Sequence, residues 1–221
     1  LVIGGLMFVV NHGGISWAEQ RIPSGVTALL VATIPLWIVV LEWVFGLGRR
    51  PSVRMGLGLA LGFLGSALLF SPGAAGTLDR AGTIVTAGAA VCWALGTIVA
   101  RRSRLSESVL MATGLPMVAG GSALYLLALV TGEWAQADAA AVTPRALAAL
   151  GYLIVMGSLL GFSAYTWLLR AMPAARVATY AYVNPVVALA IGAALGGEAV
   201  TSTTLWAGGL SLVGVFLVVS E

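Results

Sequence analysis

MPAARVATYAYVNPVVALAIGAALGGE, residues Met172–Glu198, decides the fold. The stretch is apolar, as long as a membrane-spanning helix, and broken at its middle by Asn184-Pro185. A counterpart lies 150 residues earlier, in Ile22–Phe45 and the Gly46 that follows. Under that gapless offset Pro23 matches Pro173 and Pro35 matches Pro185. Trp17, Ala28, Gly46, Ser52 and Gly58 fall on Trp167, Ala178, Gly196, Ser202 and Gly208. Seven identities over 71 aligned positions are no more than so biased a composition gives by chance. The prolines weigh more. One match can be had by choosing the offset, but the second then falls into register unaided. The flanking apolar segments and loops coincide as well, so the chain reads as an internal duplication.

Of the 221 residues, 60% are hydrophobic and 9% are charged, where a soluble domain carries roughly 25% charged residues. Mean hydropathy is +1.03. This is the composition of an all-α polytopic membrane protein. All eleven basic residues are arginines, and they sit in short loops between apolar stretches. The net charge of +3 therefore points to no nucleic acid. A single cysteine, Cys92, excludes an intrachain disulfide framework. The first apolar stretch has neither the basic start nor the small-residue cleavage site of a removable signal peptide.

Eight stretches approach the roughly 20 apolar residues of a spanning helix: 1–18, 24–46, 55–71, 82–100, 109–130, 147–169, 175–195 and 205–220. None alternates as a barrel strand does. Backbone groups in lipid must be satisfied within their own segment, so helices follow. The loops set the orientation. Arg49, Arg50, Arg54, Arg101, Arg102, Arg104, Arg170 and Arg176 fall in one set of alternating loops, and only Arg21, Arg80 and Arg145 in the other. The positive-inside rule places the first set, and both ends of the chain, in the cytoplasm. The first three segments pair with the last three, but the first leaves the cytoplasm where the sixth enters it. The repeat is therefore inverted. The fourth and fifth segments have no upstream partners. Residues 1–80 thus read as the remainder of a first repeat and 81–221 as a complete second one. The expectation is that two more helices precede Leu1, giving ten in a 5+5 arrangement.

Polar side chains at membrane depth are functional candidates. Counting about 1.5 Å per residue puts Asn11, Pro35, Trp93 and Asn184 near the midplane, where inverted-repeat transporters hold substrate. Pro185 and Pro35 each remove a hydrogen bond and are expected to kink their helices, freeing the carbonyls of Ala181 and Val31. Tyr180 shares a face with Asn184, and Trp37 shares one with Thr33. Each group reads either as a solute contact or as helix packing. His12 is the one histidine, and it reads as a proton carrier or as a neutral hydrogen-bond partner. Glu42 reads as half of an interfacial ion pair with Arg49 or Arg50. Thr83, Thr86, Trp93 and Thr97 form one stripe that lines a path or, for the threonines, bonds back to its own helix. Tyr165 reads as an interfacial anchor. The glycines of 55–71 and 205–220 are read as close-packing positions. The substrate-pathway candidates are Asn11, His12, Trp37, Trp93, Tyr180 and Asn184. The sequence has no phosphate-binding loop and no metal-ligand spacing, so no cofactor is expected.

RIPSGVTALLVATIPLW (Arg21–Trp37) and ARVATYAYVNPVVALAIGAALGGEAVTSTTLWAGGLSLVGV (Ala175–Val215) resemble the EamA-type transporters of the drug/metabolite transporter superfamily. The second matches that family's mid-helix proline (Pro185), Gly-Glu loop (Gly197-Glu198) and glycine-bearing last helix (Gly208, Gly214). The resemblance spans the chain and implies ten helices in two inverted five-helix repeats, with a central cavity and alternating access. It also implies a bacterial inner-membrane location and export of small organic metabolites such as amino acids or toxic compounds. The partners expected are that solute and membrane lipid, with a homodimer left open. A membrane-embedded enzyme acting on a lipid-linked substrate, and a membrane scaffold without transport, are the alternatives.

Overall fold

The computed structural model describes residues 1–47, 52–68, 79–103, 108–136, 138, 142–172, 177, 180, 183–195 and 200–220. The regular structure among them is helical. In chain order α1 is Val2–Ala18 and α2 is Ser24–Val44. They are followed by α3 (Val53–Leu68), α4 (Arg80–Arg102) and α5 (Val109–Val130). Next come α6 (Pro144–Ala171), α7 (Val183–Leu195) and α8 (Ser202–Val219). Four of them, α2, α4, α5 and α6, are long and apolar enough to cross a membrane, and α1, α3 and α8 are shorter apolar helices.

Local chemistry sets the ends. The Asp79 carboxylate accepts from the Gly82 N–H at 2.9 Å to start α4, and Arg101 and Arg102 stand at its negative end. Thr143 and Thr201 do the same for α6 and α8, each accepting at 3.1 Å from a backbone N–H three residues on. The end of α2 is closed by Gly46 at φ +65, with the Leu47 N–H on the Glu42 carbonyl at 2.7 Å and the Gly46 N–H on the Trp43 carbonyl at 3.0 Å. That paired closure needs a left-handed residue, which glycine adopts without strain.

Inside α2 the helix stops after Val31 and resumes at Ile34. Pro35 sits in the first turn of the resumed half, where its missing N–H costs nothing to that half. It has no hydrogen to give the Val31 carbonyl four residues back. The Thr33 hydroxyl donates to the Leu30 carbonyl at 2.6 Å and tightens the break. The corresponding α7 is described from Val183 on. The mid-helix kink expected there falls on 181–182, outside the described residues.

Two helices are wider than α. Gly5–Gly13 in α1 and Leu153–Phe162 in α6 are π-helical, a form that clusters at functional positions. The offset of 150 residues carries the first onto 155–163, which overlaps the second.

Packing is uneven. α1 lies against α4 and α5, the second half of α2 against α4, and the first half of α2 against α7. Ile3, Met7, Phe8, Ile34, Ile38, Ala90, Trp93 and Ala94 form the main core between them. α3 and α8 make the closest pairing, along Gly58, Gly62 and Gly65 on one side and Ala207, Ser211 and Gly214 on the other. The Ser211 hydroxyl reaches the Gly62 carbonyl at 3.4 Å. By contrast α6 has no buried residue and meets α5 mainly through its last turns. Glu42 pairs with Arg101 of α4 at 3.0 Å. The expected partners, Arg49 and Arg50, lie outside the described residues. With the side chains 27% and 35% exposed, such a pair contributes at most about 1 kcal/mol.

Candidate functional site

The π-helical part of α1 turns Phe8 and His12 toward the π-helical part of α6. Between them, closed by α4 and α7, lies a cavity of about 910 Å³. Its wall is a run of rings. Phe8 meets His12 at 5.2 Å between centroids, His12 meets Trp93 at 5.6 Å, and Trp93 meets Phe162 at 6.0 Å and Tyr165 at 5.7 Å. Tyr180 closes edge-on to Tyr165 at 6.1 Å. Small residues of α6, Gly157, Ser158 and Gly161, leave the space the rings surround. Among the described lining residues none carries a permanent charge.

Hydrogen bonds fix the polar atoms. His12 Nδ1 lies 2.7 Å from the Met7 carbonyl. A carbonyl only accepts, so Nδ1 carries the proton, and in the neutral ring Nε2 is an acceptor. The Thr97 hydroxyl donates to the Trp93 carbonyl at 2.9 Å. Its one proton is thereby used, so Tyr165 donates its own to Thr97 Oγ1 at 2.8 Å. The Trp93 indole N–H is buried and has no hydrogen-bond partner.

Of the six pathway residues read from the sequence, His12, Trp93, Tyr180 and Asn184 line this cavity together. Asn11 and Trp37 do not. Asn11 is buried, and its amide donates to the Ala89 carbonyl of α4 at 2.8 Å. It is the neighbour of His12, and adjacent helical residues cannot face the same way. Trp37 packs edge-on against Phe63 of α3 at 4.8 Å, on the other side of α2. One more reading is corrected, and for the threonine stripe one of the two alternatives is decided. Tyr165 is part of the cavity wall, not an interfacial anchor. Thr83 and Thr86 are buried and donate to the Asp79 and Gly82 carbonyls of their own helix, so only Trp93 of that stripe reaches the cavity. Sequence reasoning missed Phe8 and Phe162, whose apolar rings carry no signal of membrane depth. Among the described residues no cluster of three metal-ligating side chains occurs.

Asn11 therefore yields a structural prediction. Asn11→Ala removes one interhelical hydrogen bond, which in membrane proteins is worth about 0.6 kcal/mol and at most about 1.7. A thermal-melting scan should show a small downward shift, with solute affinity within about twofold of wild type, a change under half a kcal/mol.

Residues 80–220 match the model of the EamA-like transporter family. The chain belongs to that family. This EamA-like chain is 33% identical over 218 residues to the "Uncharacterized inner membrane transporter YedA" of Escherichia coli K12, covering 98% of itself and 69% of that protein. It is 28% identical over 209 residues to the "Probable terminal-alkyne amino-acid exporter" of Streptantibioticus cattleyicolor, covering 92% of itself and 67% of that protein. A solved crystal structure superposes at a TM-score of 0.65 with 20% identity, over 98% of this chain and 73% of that one; that likeness concerns the fold. Inner-membrane relatives and apolar helices together make this EamA-like protein a multi-pass transporter of the bacterial inner membrane.

Proposed function

We propose that the aromatic cavity is the solute-binding site of a secondary transporter exporting small organic metabolites. The observation that carries this reading is the convergence of His12, Trp93, Tyr180 and Asn184 on one 910 Å³ space inside an apolar helical assembly. A space of that size suits a small organic molecule. The rings bury its body, and His12 Nε2, the Asn184 amide and the Tyr180 hydroxyl orient it. An amino acid is a candidate substrate, because one relative is named an exporter of terminal-alkyne amino acids. In this reading residues 1–80 and 81–221 belong to two inverted repeats of a ten-helix protein. The arginine-rich loops and both ends of the chain face the cytoplasm, and rocking of one repeat against the other exposes the cavity to each side in turn.

The test is counterflow of labelled amino acids and related metabolites in proteoliposomes, with and without a pH gradient. Saturable uptake is expected. Asn184→Ala should raise the half-saturating concentration about tenfold, the loss of one well-made polar contact. Its melting temperature should stay unchanged, since Asn184 is exposed to the cavity. Uptake with wild-type affinity in that variant would remove Asn184 from the site.

A further inference from the structure

Among the described residues lining the aromatic cavity, His12 alone can gain a charge near neutral pH. Its ring is exposed to that space, and its two nitrogens have different duties. Nδ1 gives its hydrogen to the Met7 carbonyl, five residues back, at 2.7 Å. That bond fixes the tautomer, so any further proton goes to Nε2. The charge so made is positive, and its neighbours suit it. The rings of Phe8 and Trp93 have centroids 5.2 Å and 5.6 Å from the imidazole, within the roughly 6 Å over which an aromatic ring attracts a cation. The titratable groups that share the wall with His12 are phenols, Tyr165 of α6 and Tyr180 before α7. A phenol ordinarily titrates near pH 10, so neither competes for the proton below pH 8. Among the described residues α4 and α5 present no titratable group to the cavity. The arginines of α4 and α6 stand at the helix ends, outside its wall. Nor does a carboxylate oppose the charge. Segments 1–18, 80–102, 109–130 and 144–195, which supply the described lining, contain no aspartate or glutamate. A solute ammonium would be buried here without a counter-charge, whereas a solute carboxylate meets one as soon as His12 takes a proton.

We propose that His12 selects monocarboxylates with an apolar body and takes up one proton as each of them binds. The proton passes from water to Nε2. The Nε2–H then donates to one carboxylate oxygen, and the Asn184 amide donates to the other. No covalent bond of the solute changes. Carboxylate and imidazolium together carry no net charge, which keeps the cost of placing them in an apolar interior low. When the solute leaves, Nε2 returns its proton to water, so carboxylate and proton travel as a pair. This inference rests on the aromatic cavity being a solute site, and it adds the class of solute and the proton that accompanies it.

The experiment uses two probes on one indole frame, indole-3-propionate and its neutral amide, indole-3-propionamide. Isothermal titration calorimetry on the purified protein compares them at pH 6 and pH 8, between which the propionate stays ionised. The propionate is expected to bind about tenfold more weakly at pH 8, where the proton it needs is scarcer. The amide should change by less than about twofold. Titrations in phosphate and in Tris, whose heats of ionisation differ, should show about one proton taken up per propionate at pH 8 and none per amide. In His12→Gln the propionate should lose both the pH dependence and the proton uptake, and bind no tighter than the amide. Should that variant fail to fold, the wild-type proton count decides. Equal binding of the two probes at both pH values, with no proton taken up, overturns the proposal and leaves the aromatic cavity as a site for neutral solutes. A pH dependence that survives His12→Gln overturns it as well, because another group would then be titrating. If neither probe binds folded wild-type protein, the reading of the cavity as a solute site falls with it.

Discussion

Gly214→Val is expected to lower the melting temperature of the protein by about 6–12 °C, corresponding to roughly 3 kcal/mol. The expectation comes from contact geometry. A Cβ added at Gly214 would land on the backbone of Gly62 and 2.5 Å from the Gly58 carbonyl oxygen. One added at Gly65 would lie 2.6 Å from the Ser211 backbone nitrogen and 2.7 Å from the Ala207 carbonyl. These neighbours are main chain, so no side-chain rotation can relieve them, and α3 and α8 must part. Parting them also loosens Leu36, Val215 and Val218, which are buried along the same seam. The control is on the same two helices. A Cβ at Gly56 or Gly209 meets nothing within 4 Å. Gly56→Ala and Gly209→Ala should therefore melt at or above wild type, because alanine favours a helix over glycine by up to about 1 kcal/mol. Differential scanning fluorimetry in detergent checks all three. A Gly214→Val protein that melts with wild type would mean that the seam is not a contact in the folded protein.

Trp93→Ala is expected to abolish measurable transport. The indole meets His12, Phe162 and Tyr165 at once, so its removal opens the cavity wall from three sides. Truncating a buried tryptophan typically costs about 3–5 kcal/mol of packing. If half of that bears on the solute, affinity falls roughly ten- to sixtyfold. Trp93→Phe separates the causes. It keeps a ring in the wall and removes the indole N–H, which has no partner within the protein. Removing an unpaired donor carries no hydrogen-bond cost, so Trp93→Phe should transport within about threefold of wild type, a change well under 1 kcal/mol. A Trp93→Phe protein as inactive as Trp93→Ala, but equally well folded as wild type, would show that the solute takes that N–H. Wild-type kinetics in Trp93→Ala would remove the aromatic cavity from the path.

Helicity and the approximate bounds of most helices were legible because apolar length in a chain with few charges has few other meanings. The midplane residues were legible in part. His12, Trp93, Tyr180 and Asn184 stand out as polar or amphipathic groups in apolar runs, and depth alone brings them together. Depth does not give the angle around a helix. Asn11 and His12 lie at nearly one depth, yet one bonds α4 and the other faces the cavity. A π-helical segment makes that angle harder to read, since its residues no longer advance by 100°. Trp37 shows the same gap on α2, where the break at Thr33 sets the direction of the second half. The contributions of Phe8 and Phe162 were hidden for a different reason. In a chain that is 60% hydrophobic, an apolar ring against a solute and one against lipid look alike in sequence.

The seam between α3 and α8 also sets a schedule. Its two sides are separated by about 150 residues of sequence. At the usual 5–20 residues per second, about 8–30 seconds of synthesis pass between them. Throughout that interval the small-residue face of α3 has been made and its final partner has not. The nascent protein must hold that helix in an interim neighbourhood of lipid or insertion machinery. Closing that seam therefore waits on α8 to leave the ribosome.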